Sequence, residues 1–368
     1  MRYKDLFNPL QLGALSLDNR VLMAPLTRMR AGPNGVPGKL NQRYYAQRAN
    51  AGLIITEATQ ISRQGQGYLA TPGIHTDAQE AGWKGVVDAV HEAGGRIAMQ
   101  LWHVGRISHS SLQENGQPPV APSAVPTTRA KVVILQNGAP AQARCDPPRA
   151  LDLAEIQGII EQYRQAAIRA RRAGFDMLEI HAANGYLLNQ FLATNTNLRT
   201  DAYGGSLENR ARLLLEVVQA VAQEVGFNRV GVRLSPNGIF NDIDDKEAEP
   251  MSLYLARAFA AAGLAYLHIA EPDWAGGPPL TTAYRQQLHA AFNGPLIYCS
   301  GYDADRADQL IGSGMASAIA FGRLYIANPD LVARFRLGAE LNRADEARFY
   351  GGGAAGYTDY PALACGES

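Results

Sequence analysis

Short apolar runs, many of them β-branched, recur along the chain: RVLMAPL (20–26), AGLIITEAT (51–59), RIAMQLWH (96–103), MLEIHAA (177–183), RVGVRLSP (229–236), LAYLHIAEP (264–272), GPLIYCSG (294–301) and ASAIAFGR (316–323). They are nearly continuous rather than alternating, the pattern of parallel strands buried on both faces. Between them the apolar positions change to a helical period. In LAEIQGIIEQYRQAAIRARRAG, Ile156, Ile159, Ile160, Tyr163, Ala167 and Ala170 fall on one stripe with charges opposite. In SLENRARLLLEVVQAVAQEVG, Ser206 is placed to cap a helix and Gly226 to stop it; Asp303 opens another in DADRADQLIGSG.

Eight strands alternating with helices predict an α/β chain folded as a single (β/α)8 TIM barrel. An open doubly wound sheet competes, but usually has fewer strands, and the first βα junction, MAPLTRMRAG, lacks the GxGxxG turn of a dinucleotide-binding sheet. The GxGxxG match at 351–356, GGGAAG, is followed by only twelve residues, too few for a βαβ unit, and reads as a glycine-rich tail. Two segments fall outside the repeat. LFNPLQLGALSLDN reads as an N-terminal β-hairpin that closes the bottom of the barrel. The stretch from about 107 to 150, after the third strand, is rich in proline and polar residues, and its KVVILQNGAPAQA offers Asn137-Gly138 as a hairpin turn. An insertion there lies over the strand C-termini, where barrel enzymes bind substrate, so it is expected to cap the active-site face. With no other linker-like shift in composition, one domain over residues 1–368 is expected.

Composition then removes function classes. Apolar residues make up 46% of the chain and charged residues 18%, with zero formal net charge, so nothing favours nucleic acid or an anionic membrane surface. The start, MRYKDLFNPLQLG, lacks the layout of a signal peptide, and no apolar run is long enough to span a bilayer; a cytoplasmic location is expected. Cys145, Cys299 and Cys365 are widely spaced, which argues against disulfides, structural zinc and iron–sulfur clusters, and Cys299, inside an apolar strand, reads as buried filler. His75, His103 and His109 have no partners at metal-ligand spacing, so no metal site is expected.

The C-terminal ends of the eight runs carry Pro25-Leu26-Thr27-Arg28, Glu57-Ala58-Thr59, Gln100-Leu101-Trp102-His103, His181 with Asn184 and Tyr186, Arg233, Glu271-Pro272-Asp273-Trp274, Ser300-Gly301 and Gly322-Arg323. Such a rim, hydrogen-bonding and aromatic, suits a planar ligand rich in heteroatoms that also carries a charged group. Ser300-Gly301 and Gly322-Arg323, at the ends of strands seven and eight, stand where barrel enzymes often hold phosphate. The glycines alone serve tight βα turns equally well; Arg323 favours phosphate.

HAANGYLLNQF followed by NTNLRTDAYGGSLENR closely resembles the corresponding segment of the Old Yellow Enzyme family of FMN-dependent ene-reductases. The resemblance extends through APLTR, EATQIS, MQLWHVGR, EPDWAGG, AFGRLYIANPDL and FYGGGAAGYTDYP. It looks closest to the branch containing N-ethylmaleimide reductase, pentaerythritol tetranitrate reductase and morphinone reductase; Thr27, where another branch has cysteine, agrees.

The resemblance implies non-covalent FMN over the barrel mouth, its ring edge met by Thr27, Ala58, Gln100 and Arg233, with Pro25 and Leu26 beside it and the phosphate at Ser300, Gly301, Gly322 and Arg323. His181 and Asn184 would donate hydrogen bonds to the substrate's carbonyl or nitro oxygen, and Tyr186 would give the proton to carbon. Tyr68, Trp102, Trp274 and Tyr350 would wall the pocket. NADPH or NADH would reduce the flavin from the same pocket, in ping-pong fashion. Oxidants would be α,β-unsaturated carbonyls, maleimides and nitroalkenes, with nitro compounds and nitrate esters as further small-molecule substrates and phenols as inhibitors. Relatives occur as monomers and as homo-oligomers. Two other readings stand beside this one: a non-catalytic flavin-binding redox sensor, and a 2,4-dienoyl-CoA reductase-like enzyme, for which the chain ends too soon and the cysteine spacing is wrong. Arg199, Asp201, Glu208 and Arg210 are expected to form ion pairs that fix the loop after strand four.

Overall fold

The apolar runs form β1 (Val21–Met23), β2 (Ile54–Ile55), β3 (Ile97–Trp102), β4 (Met177–Ala182), β5 (Val230–Leu234), β6 (Tyr266–Ala270), β7 (Leu296–Cys299) and β8 (Ala318–Phe321) in a computed structural model that describes residues 2–273 and 276–363. Each pairs in parallel with the next, and β8 returns to β1 with Ile319 opposite Val21, so the sheet closes into an eight-stranded barrel. Two strands are shorter than their runs. β1 ends before Pro25, which has no N–H for the ladder. β2 stops at Ile55, and pairing with β3 resumes only at Thr59–Gln60, opposite Leu101 and Trp102. Between them the buried Glu57 accepts from the Arg28 N–H (3.2 Å) and the Tyr45 hydroxyl (3.3 Å), which pulls the chain out of the ladder.

The outer layer is built from α1 (Lys39–Ala46), α2 (Asp77–Glu92), α3 (Leu153–Arg172), α4 (Leu187–Leu192), α5 (Leu207–Val225), α6 (Ala248–Ala262), α7 (Thr282–Phe292), α8 (Ala304–Gly312), α9 (Arg323–Ala327) and α10 (Leu331–Leu337). The predicted stripe of α3 is buried at Ile156, Ile159, Tyr163, Ala167 and Ala170, and Ile160 lies half-buried at its edge. Ser206 caps α5 by accepting from the Asn209 N–H at 3.3 Å, and Asp303 caps α8 through the Arg306 N–H at 2.8 Å. In each case the side chain satisfies a donor that the first helical turn leaves unpaired.

The N-terminal hairpin pairs Leu10 with Leu17 across Gly13, and the Ala14 N–H donates to the Asn228 carbonyl (2.8 Å) just ahead of β5. Leu12 and Leu17 pack with Leu22, Leu53, Met177, Tyr266 and Ile297, so the hairpin plugs the N-terminal end of the barrel. Leu12→Ala is expected to cost about 2–5 kcal/mol of unfolding free energy, as for other fully buried leucines. Urea denaturation would measure it, and a loss under about 1 kcal/mol would mean the plug is loosely seated.

The insertion after β3 contains a two-stranded hairpin, Lys131–Gln136 with Ala139–Arg144, turning at Asn137 and Gly138 with φ of 51° and 79°. Both positive angles suit the twist of a tight hairpin. Its inner residues Val132 and Ile134 are buried with Trp102, Val104, Ile107 and Tyr186, which places the hairpin over the strand C-termini. Residues 351–356 form turns that wrap back onto the loop after β1. There Arg28 donates to the carbonyls of Phe349 (2.9 Å) and Gly356 (2.8 Å), and Arg30 to that of Gly353 (3.1 Å). Tyr357 stacks on Tyr44 at 4.0 Å, closing the clamp. Among the described residues no helix is long and apolar enough to cross a membrane.

Candidate active site

The site grows out of the turn after β4. Asn184 and Gly185 both take positive φ (57° and 74°), so the chain reverses sharply between His181 at the strand end and Tyr186 at the N-terminus of α4. Several bonds hold this turn. The Asn184 N–H donates to Ser235 Oγ (2.8 Å), Asn241 Nδ2 donates to the Asn184 carbonyl (2.8 Å), and the Gly185 N–H donates to Asn189 Oδ1 (2.8 Å). A Cβ on Gly185 would lie 2.6 Å from the Asn241 Cβ and 2.8 Å from the Phe240 carbonyl. Gly185→Ala therefore combines a left-handed backbone with a backbone clash, and is expected to displace Tyr186 and destabilise the fold by about 1–3 kcal/mol. A thermal melt together with enone turnover would check both effects.

His181 is buried, and its Nδ1 faces the Ala183 N–H at 3.3 Å. A ring nitrogen that accepts cannot carry the proton, so the proton sits on Nε2. Burial, with the cations Arg233 and His268 nearby, holds the imidazole well below its usual pKa, so it is neutral. Neither His181 Nε2 nor the Asn184 side-chain amide has a hydrogen-bond partner among the described residues. Two neutral donors therefore stand free on one turn.

Tyr186 lies beside them. Its ring meets His181 edge-on at 5.1 Å and Trp102 at 4.9 Å, and its hydroxyl is 3.2 Å from that of Tyr68. Tyr68 stacks along Trp102 at 5.9 Å. Burial pushes the Tyr186 phenol up to about 12, and Tyr350, itself largely exposed on the C-terminal turns, adds to that shift from nearby. The fold thus brings together Tyr68, Trp102, His181, Asn184, Tyr186 and Tyr350. Trp274 lies outside the described residues.

Along the other half of the mouth, Pro25, Leu26 and Thr27 are half-buried after β1, and Ala58 is buried after β2. Gln100 on β3 stands opposite Glu179 on β4, and its Nε2 donates to Glu179 Oε1 at 2.6 Å. Arg233 is 7% exposed and has no carboxylate within ion-pair distance among the described residues; its Nη2 meets Cys299 Sγ at 3.5 Å and its Nε is buried without a partner. Ser300, Gly301, Gly322 and Arg323 line a cavity of about 410 Å³ at the ends of β7 and β8. Arg323 is paired there with Asp273 at 2.6 Å, a partner that the rim sequence did not reveal. The loop after β4 is held as expected by the Arg199–Asp201 pair (2.6 Å), whereas Arg210 reaches Glu247 at 2.5 Å, and Glu208 sits in the first turn of α5. No group of residues able to hold a metal occurs among the described residues.

Residues 5–342 match the NADH:flavin oxidoreductase / NADH oxidase family. The solved structure of morphinone reductase is 58% identical, with a TM-score of 0.97 over 99% of this chain and 97% of that one. That of the Old Yellow Enzyme homologue from Zymomonas mobilis is 40% identical, with a TM-score of 0.92 over 97% of this chain and 99% of that one. Rice (Oryza sativa subsp. japonica) 12-oxophytodienoate reductase 1 is 43% identical over 97% of this chain and 93% of its own.

The chain belongs to the Old Yellow Enzyme family. As a member it is an FMN-dependent oxidoreductase reduced by NADH or NADPH, and it stands on the morphinone reductase branch. The residues present fit such a cofactor. A buried guanidinium with an unpartnered N–H suits the electron-rich pyrimidine edge of a flavin, and Gln100 keeps a free carbonyl oxygen beside it. Behind this edge lies a further buried polar layer that sequence reasoning passed over. Glu179 and His268 are fully buried in β4 and β6, 2.8 Å apart. Their signal was an ionisable residue in the interior of each run, Glu179 two positions ahead of His181 and His268 two positions after Tyr266.

Proposed function

We propose that this protein reduces the activated C=C bond of α,β-unsaturated carbonyls, maleimides and nitroalkenes, with nitrate esters as a further oxidant. The observation that carries the reading is the pair of free neutral donors, His181 Nε2 and the Asn184 amide, on the same turn as a protonated phenol. FMN, when bound, would supply the hydride chemistry that links NAD(P)H to the alkene. Thr27, Ala58, Gln100 and Arg233, with Pro25 and Leu26, would hold its ring, and Ser300, Gly301, Gly322 and Arg323 would hold its phosphate. His181 and Asn184 donate to the carbonyl or nitro oxygen, so negative charge that develops there is stabilised and the β-carbon becomes electrophilic. Tyr186 gives its phenolic proton to the α-carbon. Tyr68, Trp102 and Tyr350 wall the pocket and exclude water.

The names of the relatives support this class, since a 12-oxophytodienoate reductase and a morphinone reductase are both named after ketones. The solved structure of morphinone reductase in complex with tetrahydroNAD supports a nicotinamide cofactor as the reductant. As part of the same reading, we propose an enzyme that acts on small molecules and has a cytoplasmic location.

The test is the visible spectrum of the purified holoprotein with and without a para-substituted phenol. A new long-wavelength charge-transfer band is expected, from a phenolate held by His181 and Asn184 over the flavin. Flavin bands without it would overturn the donor assignment. A protein that cannot be reconstituted with FMN would overturn the whole reading.

A further inference from the structure

Inside the barrel, a set of polar side chains draws on five strands, β3 to β7. Glu179 precedes His181 by two residues, so both leave β4 on the same face. Its carboxylate is sealed from solvent and accepts from Gln100 Nε2 (2.6 Å), the Tyr266 hydroxyl (3.1 Å) and His268 Nδ1 (2.8 Å). His268 stands opposite Arg233 in the ladder, and Arg233 Nη2 reaches Cys299 Sγ at 3.5 Å. Despite burial, the facing imidazole holds the Glu179 carboxyl below its usual pKa, and the facing carboxylate holds the imidazole above its own. The two form a charged pair with no exposure at all.

Such a pair is costly to bury and rarely adds stability by itself, so its consequence for the neighbours matters more. An ionised carboxylate can only accept. Gln100 must therefore turn its NH2 towards Glu179, and the orientation of its amide is fixed.

We propose that the Glu179–His268 pair is a positioning device for the cofactor: Glu179 locks the Gln100 amide so that its carbonyl oxygen is the acceptor for the flavin N3–H, and His268 holds the second carboxylate oxygen of Glu179 in place. This rests on the flavin being placed against Gln100 and Arg233. Glu179→Gln puts a group that both donates and accepts beside Gln100, so the Gln100 amide is free to flip. The flipped amide opposes a donor to N3–H. Because His268 loses its counter-charge and becomes neutral at the same time, the net charge of the pair does not change. The monopole at this edge is thereby conserved, and only the local dipole of the pair is lost along with the fixed orientation of Gln100.

Two quantities read this out on the holoprotein and the reconstituted apoprotein: the dissociation constant for FMN, and the pH at which the oxidised bound flavin loses its N3 proton, followed by visible absorbance. Glu179→Gln is expected to weaken FMN binding by about tenfold, the scale of one lost hydrogen bond, and to lower the pH of N3–H ionisation. Glu179→Gln combined with His268→Gln removes both charges and guards against a variant that fails to fold because one buried charge is stranded. Gln100→Ala is the control for the underlying placement. If Gln100→Ala changes neither quantity, the flavin does not lie against Gln100 and the placement falls. If Gln100→Ala changes both while Glu179→Gln and the double variant stay within twofold of wild type, the placement stands and the positioning role of Glu179 is wrong.

Discussion

Tyr186→Phe is expected to slow enone reduction by about 10²–10⁴-fold, the usual range for losing a general acid, while the half-reaction with NAD(P)H proceeds at its normal rate. The substitution removes one oxygen from a ring packed between Trp102 and His181, so it should leave the fold intact. Nitro compounds, which need no proton at carbon for the first hydride transfer, should be spared. The phenol is protonated up to about 12 because burial penalises the phenolate, so the acid form is lost only as pH rises through that value. His181 is neutral down to well below its ordinary pKa. Neither group titrates across the neutral range, so the rate of the enone step should be flat from about pH 7 to pH 10. Stopped-flow measurement of the two half-reactions separately would show this. Unchanged enone turnover in Tyr186→Phe would remove it as the proton donor, and an inflection near neutrality would bring in another acid.

The parts of this molecule that could be read from its sequence are those set by local pattern. Continuous apolar runs marked the eight strands because a parallel barrel buries both faces of each. Ser206, Asp303 and Asn137-Gly138 marked their caps and turn because the chemistry needed there is supplied within a few residues. Strand ends pointed to the rim for the same reason: position along a strand decides which residues reach the mouth. What could not be read depends on partners remote in the chain. The Asp273 carboxylate that holds Arg323 lies 50 residues away, and Glu179 and His268 are separated by 89. Arg28 and Arg30 gather carbonyls more than 300 residues downstream. A sequence shows the unusual residue, as with the lone glutamate in MLEIHAA, but not which strand will bring its partner. The break in β2 was missed for a related reason, since Glu57 leaves the ladder for donors on the loop after β1 and on α1.

His181→Ala is expected to act differently from Tyr186→Phe, and the contrast tests the division of labour on the turn after β4. The lost Nε2–H is one of two donors for the substrate oxygen. Removing one such donor typically costs about 10²–10³ in rate, or ~2.7–4 kcal/mol. Because a nicotinamide ring entering the same mouth would lean on the same donors, both half-reactions should slow, whereas Tyr186→Phe slows only one. Affinity for a para-substituted phenol should fall at least tenfold with loss of the charge-transfer band, while FMN content stays that of wild type. Part of any loss could come from packing, because the His181 ring also lies along Trp102 at 6.4 Å and against Tyr186 at 5.1 Å. His181→Asn separates the two causes. It restores a neutral N–H donor without restoring the ring, so a variant that recovers phenol binding relative to alanine assigns the effect to hydrogen bonding. Recovery should be partial, since the shorter amide does not reach the position of Nε2. If asparagine and alanine behave alike while Asn184→Ala abolishes the phenol band, then Asn184 is the donor that holds the oxygen, and His181 serves to seat Tyr186 and Trp102.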